Sequence, residues 1–541
     1  MSAHLTRRNV LLTGLAAAAA PALAACGDGG ATPSVADNAD VRLPDYVPYQ
    51  DVRPDLPGTK AGVLNGYYHY PERPVAAAPD GPPAEGPSIN VMTLTYSPVP
   101  PPVDKNPMWQ QLNKALGTSL NFENVPVANY PVKTALTVAG GDLPDAMLVL
   151  PATPRQPAML NALFEDLAPY LSGSGVRKYP FLANLPTASW SPMVIAGGLY
   201  GLPMPRANSG SAMFYRADIF KKKGLDPAPA SFAEYLQLCK DLAEPKNAKY
   251  ANGDPTVTLY FLLEMLSGAN TWTQQNGRFT WWLEQTDILR EALDGMRQLV
   301  KAQTIHPDGF TTVGKFKDWF GNGQIAMNYD GLSAWNQYLL TYGATDPKFD
   351  VDAMVAPGYS GGKGTHWAGR TSFAMLSLKK ASRERIEQQL RAYNLLAAPF
   401  GTDSYLLRKY GVNGHDFTFK KSDPIQNPIG VTDTGLPTGF VTDSPQSIYY
   451  PQGAEPVRRQ HAFQQRAVDV LVTDPSYGLY SETSTTAGTT IQQNIIEGPL
   501  KGYMRGTSSW NDIADAVKSW RKDAGDRMRV EFEQSWAALH K

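Results

Sequence analysis

The chain has 541 residues, a formal net charge of −1 and only 18% charged side chains. That balance excludes a basic face for nucleic acid or anionic lipid, and the length allows a large buried core without covalent help. The high counts are 26 Tyr, 11 Trp and 45 Pro, a composition that suits uncharged polar ligands such as sugars and also ordinary cores.

The chain opens with Arg7-Arg8, an Ala-rich apolar stretch and then Leu23-Ala24-Ala25-Cys26. This is the order of an export signal, over residues 1–26. The apolar stretch is too short for a permanent span. The paired arginines point to twin-arginine export. The residues before Cys26 read as a lipobox, in which the thiol takes a diacylglyceryl group and becomes the mature N-terminus. A plain cleavable signal with a chance cysteine is the competing reading. On the lipid reading the protein is extracytoplasmic and anchored to the cell membrane by acyl chains. Of the 2 Cys, Cys239 is then left without a disulfide partner.

Residues 27–87 read as a flexible tether, loose through Ala39, followed by a Pro-rich arm carrying Tyr67-Tyr68-His69-Tyr70-Pro71. Folding is expected from Ser88. Residues 89–96 are strand-like. Trp109, Leu112 and Leu116 recur at helical spacing, with Gly117 placed to end the helix. A strand over 120–125, a helix over 132–138 ending at Gly140-Gly141, and an apolar strand over 146–150 follow. That alternation predicts right-handed crossovers and a parallel sheet.

Further on, Ser231-Phe232-Ala233-Glu234 has the pattern of a capping box. Cys239 falls on the apolar stripe of that helix, which predicts a buried, inert thiol. Helices are also expected over 287–303, with Thr286 as a cap, over 383–397 opened by Ser382, and over 513–520 and 527–539. No internal repeat is present.

Several motifs in fixed order resemble a family. They are Gly141-Asp142-Leu143-Pro144-Asp145-Ala146, Gly198-Leu199-Tyr200-Gly201-Leu202-Pro203, and the run Phe214-Tyr215-Arg216 with Asp218-Ile219-Phe220-Lys221-Lys222-Lys223-Gly224-Leu225-Asp226. The capping box and Phe316-Lys317-Asp318-Trp319-Phe320-Gly321-Asn322-Gly323-Gln324 complete the set. Together with the lipobox they resemble the extracellular solute-binding lipoproteins of ABC-type carbohydrate importers (family 1, LipO-like branch). The matches run from Ser88 to about Trp335, and the C-terminal part is less marked.

The resemblance implies an α/β, two-lobe periplasmic-binding-protein-like fold over 88–541, with a ligand cleft between the lobes. Lobe one is expected over about 88–193 plus 324–356, and lobe two over about 194–323 plus much of 357–541. It implies capture of a saccharide or oligosaccharide and its delivery to ABC transporter permease subunits by a monomer. A lipid-anchored polysaccharide-active enzyme and a non-transport glycan-binding surface protein are the alternatives.

Candidate ligand contacts come from the residues themselves. Tyr96 follows the first strand, where open α/β sheets bind ligands. Asp145, in a turn before a strand, offers a ligand hydrogen bond or a turn cap. Arg206 follows Pro203-Met204-Pro205 and offers paired donors. Asp330 and Trp335 follow the expected strand 324–329, in a stretch that resembles the family's aromatic sugar-stacking loop. Trp367 and Arg370 lie in a glycine-flanked loop, and Tyr449-Tyr450 precede Pro451. For each aromatic the competing role is core packing.

An enzyme is not expected. Ser209 and Ser211 lie outside any G-x-S-x-G elbow. The 7 His form no H-E-x-x-H and no cluster with Cys, and no phosphate-binding glycine loop appears. Residues 244–254 lack the alternating acids of a calcium loop. No cofactor, metal or nucleic-acid partner is expected.

Overall fold

The structure is a computed structural model that describes residues 35–539, apart from 97, 313, 344, 345, 347, 452 and 489–494. Cys26 and the signal lie outside the described residues. Among the described residues, no helix is long and apolar enough to cross a membrane.

The opening follows the sequence pattern. β1 (Ile89–Thr95) is buried at all but one position. α1 (Pro107–Leu116) starts at Asn106, whose side chain accepts from the Trp109 N–H. It stops at Gly117, which takes the left-handed conformation (φ 76°) that closes a helix at little cost to glycine. β2 (Leu120–Pro126) pairs parallel to β1 over its full length. α2 (Tyr130–Gly140) then leads to β3 (Ala146–Val149), also parallel to β1.

The chain continues through β4 (Leu202–Pro205) to β5 (Ser211–Arg216). α3 (Phe232–Leu242), α4 (Pro255–Met265) and α5 (Thr286–Lys301) follow. Ser231 Oγ accepts from the Glu234 N–H and caps α3, while the Glu234 carboxylate reaches back to the Ala230 N–H. Next come β6 (Met327–Gly331), α6 (Ala334–Thr341), β7 (Val351–Met354) and β8 (Ser372–Leu378). Then α7 (Arg383–Leu396) and α8 (Asp403–Tyr410) precede the hairpin of β9 (Phe417–Lys420) and β10 (Asp423–Gln426). α9 (Pro428–Asp433), α10 (Ala454–Val468), α11 (Trp510–Trp520) and α12 (Asp526–Leu539) complete the helices used below.

Two sheets define two lobes. Lobe one is built on five strands in the order β2-β1-β3-β8-β4, with β8 antiparallel to both neighbours. Lobe two is built on three antiparallel strands, β6-β5-β7. Strand alternation splits the core of lobe two. Met213 and Tyr215 of β5 pack with Phe232, Tyr235 and Cys239, whereas Ala212 and Phe214 pack with Trp335 and Tyr338 on the other face. Cys239 is fully buried, and burial pushes its thiol up to about 12, which removes it as a nucleophile.

The lobe boundaries differ from the sequence reading. Residues 324–356 belong to lobe two, because β6 and β7 flank β5 there. The return into lobe one is made by β8, followed by α7. Residues 194–205, expected in lobe two, end in β4, the edge strand of the lobe-one sheet. An apolar run marks a buried strand without saying which sheet takes it.

Folding also begins well before Ser88. Gly66–Tyr67 pairs in parallel with Ile448–Tyr449. Tyr70 is buried, and its hydroxyl donates to the Thr402 carbonyl at 2.7 Å. The Pro-rich arm is therefore part of the folded body.

Candidate functional site

The parallel strands of lobe one end at a common edge. β1 ends before Tyr96, β3 at Val149 and β4 at Pro205, and antiparallel β8 starts beside them at Ser372. This carboxyl-end edge is where open α/β sheets take ligands. It borders a cavity of about 780 Å³ lined by Val149, Gln156 and Ala374 of lobe one and by Asn270, Trp272 and Trp281 of lobe two. A smaller hollow of about 240 Å³ adjoins it, walled by Tyr260, Trp282, Tyr329 and Trp367. The two share Asn270, Thr271, Ala368 and Gly369.

The segments that join the lobes form the floor. The Gly369 N–H donates to the Asn208 carbonyl at 2.8 Å, and the Arg206 N–H donates to that of Thr371 at 2.9 Å. Gly210 and Gly369 let the two backbones touch. A Cβ on Gly210 would lie 2.5 Å from the Trp367 carbonyl oxygen, and one on Gly369 would lie 2.7 Å from the Gly210 Cα.

Two candidates, Trp367 and Arg370, line these cavities, and two more, Tyr96 and Arg206, lie at the carboxyl-end edge of the lobe-one strands. Trp367 is half-buried in the smaller hollow, with its indole N–H donating to the Gly268 carbonyl at 3.0 Å and its ring 5.7 Å from that of Tyr260. Arg370 is exposed in the larger cavity, 5.9 Å above the Tyr477 ring. Tyr96 is 63% exposed at the end of β1, leaning on Phe440. Phe440 in turn packs on Phe373, and the Arg206 guanidinium lies 5.2 Å from the Phe373 ring. Burial lowers the pKa of Arg206, and Asp443 and Tyr96 oppose that shift.

The other four sit elsewhere, each for a clear reason. Trp335 is on α6 and fully buried, edge-on to Phe214 at 5.6 Å; it is core. Asp330 alternates with Tyr329 on β6 and so faces away from the hollow. Its carboxylate accepts from the Tyr338 hydroxyl at 2.9 Å and lies 3.5 Å from Lys317. Asp145 opens β3 at the opposite edge of the sheet. It accepts from the Asn90 N–H and pairs with Arg385 at 2.9 Å. Tyr449 is buried with Tyr67, Tyr70 and Phe400, and its hydroxyl donates to Asp423 at 2.8 Å. Its neighbour Tyr450 is also buried, bonded to Gln460.

Sequence reasoning missed several residues in and around the cleft. Phe373 and Phe440 join Tyr96 in one aromatic row, although no sequence pattern links them. Glu264 and His366 lie beneath Trp367, both 1% exposed. Glu264 Oε1 accepts from the Trp367 N–H at 2.6 Å, and burial pushes the carboxyl up to about 8. Burial pushes His366 down to about 4. His366 Nε2 faces the Ser209 carbonyl at 3.2 Å, which assigns the proton to that nitrogen. The pair is neutral at pH 7. Asp474 borders the larger cavity, held by Ser476, and burial pushes it up to about 6.

Residues 96–383 match the model of the bacterial extracellular solute-binding protein family, more than half of the chain. The chain belongs to that family. It is 22% identical over 478 residues to lipoprotein LipO of Bacillus subtilis (strain 168), covering 83% of this chain and 92% of LipO. Its fold is similar to that of the N-glycan transport solute-binding protein NgtS of Streptococcus pneumoniae, with TM-score 0.62 and 14% identity over 84% of this chain and all of that one. It is likewise similar to alginate-binding protein AlgQ2 crystallised without calcium, with TM-score 0.60 and 15% identity over 84% of this chain and 98% of that one. These solved structures share the two-lobe fold with this member of the family.

Proposed function

We propose that the protein captures a saccharide or oligosaccharide outside the cell and delivers it to an ABC transporter permease. The observation that carries this reading is an inter-lobe cavity with an aromatic hollow beside it, together with an aromatic row at the carboxyl edge of the lobe-one sheet. The row holds Tyr96, Phe373 and Phe440, and the hollow holds Tyr260, Trp282 and Trp367. Flat rings take the C–H faces of pyranoses, while Asn208, Thr271 and Arg370 beside them offer hydrogen bonds to hydroxyls. Relatives named for N-glycan and alginate binding support the same class of ligand.

Closure of the lobes over the sugar would bend the joining segments at the Gly210 and Gly369 contact, giving the permease a loaded shape to read. The protein makes and breaks no bond in this cycle. Cys26 would carry the lipid that holds it at the outer face of the cell membrane, as a monomer beside its permease. Thermal-shift screening of the protein against a glycan panel, followed by calorimetry on each hit, tests the reading. A saturable glycan that raises the melting temperature supports it. Uniform indifference to mono- and oligosaccharides contradicts it.

A further inference from the structure

Away from the cleft, one group of side chains stands out on lobe one. His415 and Asp416 lie in the turn between α8 and β9, and Asp433 ends α9. One ligand atom from each lies within 4.8 Å of the other two. Asp416 and Asp433 are buried, whereas the His415 side chain is 43% exposed.

Their partners are unequal. Asp416 Oδ2 accepts from the Val412 N–H at 2.6 Å, and Oδ1 lies 2.7 Å from His415 Nδ1. Asp433 is only 2% exposed, yet its buried Oδ2 accepts from no N–H or hydroxyl among the described residues, and the group it can share a proton with is the Asp416 carboxyl. The ion-pair partner within reach is His415 Nδ1, at 3.9 Å. Two buried carboxylates side by side do not both carry charge without a cation between them. The backbone is drawn in tightly here: a Cβ on Gly411 would overlap the Asp416 carboxylate.

We propose that His415, Asp416 and Asp433 form a divalent-metal site. One imidazole nitrogen with two carboxylate oxygens suits a first-row ion, zinc above all, better than calcium, which takes six to eight oxygens. Tetrahedral metal bonds of about 2.0–2.2 Å set ligand atoms about 3.3–3.6 Å apart. The separations here are 2.7 and 3.9 Å from His415 Nδ1 and at most 4.8 Å overall. A small shift of the three side chains therefore closes the set. The exposed side of His415 gives the ion an entry path and room for water. The Asn106 side chain donates to the Asp433 carbonyl at 3.1 Å, so the ion would tie α9 to the start of α1. α9 leads into the loop that carries Phe440 to Tyr96 and Phe373, and the metal would pin the base of that loop.

The test uses the full chain in detergent, stripped with chelator and then titrated with zinc sulfate alone. We expect one zinc per chain and a melting temperature that rises by several degrees. His415→Ala and Asp433→Asn should each weaken zinc binding at least tenfold, while Trp367→Ala keeps it. His415 is half exposed, so its variant stays informative even if Asp433→Asn fails to fold. No saturable zinc binding by the wild type, as expected of a carboxyl pair that merely shares a proton, would overturn the site. Zinc binding unchanged in His415→Ala, or calcium bound as tightly as zinc, would overturn it too.

Discussion

Glu264 holds the backbone of Trp367 through a hydrogen bond of 2.6 Å, donated by the Trp367 N–H to Oε1. A carboxyl on α4 thereby fixes the position of an aromatic ring in the cleft. The same carboxyl lies 3.6 Å from His366 Nδ1, with both groups out of water. The position of the ring is thus tied to a neutral, buried acid–base pair.

The stability contributed by that pair should be greatest at mildly acid pH, between about 4.5 and 6.5, and should fall between about 6.5 and 8. Glu264 is raised to about 8, so its contribution is full below the unfolded value of about 4.3 and is lost as pH climbs through 8. His366 is depressed to about 4, so its contribution is full above about 6.5 and is lost as pH falls toward 4. Glu264→Gln keeps the acceptor for Trp367 and removes the acid. Thermal melts from pH 5 to 10 should show the wild type losing stability relative to the variant between about pH 5 and 8, and running parallel to it above about pH 8. A constant difference between the two across about pH 5 to 8 would refute the neutral pair.

Tyr96 should matter to ligand and little to fold. It is 63% exposed, so Tyr96→Ala should shift stability by no more than about 0.5 kcal/mol. Loss of a stacking face should weaken saccharide binding by about tenfold or more. Calorimetry and a thermal melt on the same preparation check both halves.

Gly369 should tolerate no side chain. A methyl there meets the Gly210 Cα at 2.7 Å, backbone against backbone, where nothing flexible can yield. Gly369→Ala should cost about 1–3 kcal/mol and slow the closing of the lobes. Denaturant titration measures the first effect. Stopped-flow tryptophan fluorescence with ligand measures the second.

Cys26 should be the lipid attachment point. Mass spectrometry of the mature N-terminus is expected to show a diacylglyceryl cysteine, and Cys26→Ala should leave the membrane fraction. A mature chain that begins elsewhere would refute this.

The first half of lobe one was legible in the sequence. The strand–helix–strand–helix–strand run from Ile89 to Val149 has clean periodicity, and Gly117 and Gly141 mark both helix ends. Cys239 was legible as core for the same reason. The candidate site was less so. Trp335 looked like a loop residue because Gly331 and Ser333 precede it, but α6 starts at Ala334 and turns the ring inward. Tyr449 was misplaced because its neighbours Tyr67 and Tyr70 come from an arm hundreds of residues away in the chain, whose docking place no local pattern gives. Phe440 and Glu264 carry no local signal. Their roles arise only when distant segments meet at the sheet edge, and no spacing rule reaches that far.

The most direct test of the cleft compares two tryptophans. Trp367→Ala and Trp335→Ala are measured for saccharide affinity by calorimetry and for stability by melting of the free protein. Trp367→Ala should bind roughly thirtyfold more weakly, about 2 kcal/mol, with a small change in melting temperature. Trp335→Ala should lose about 3–5 kcal/mol of stability, as deletion of a fully buried ring does, and keep its affinity once folded. The reverse pattern, affinity lost in Trp335→Ala and retained in Trp367→Ala, would contradict a sugar held between the lobes at Trp367.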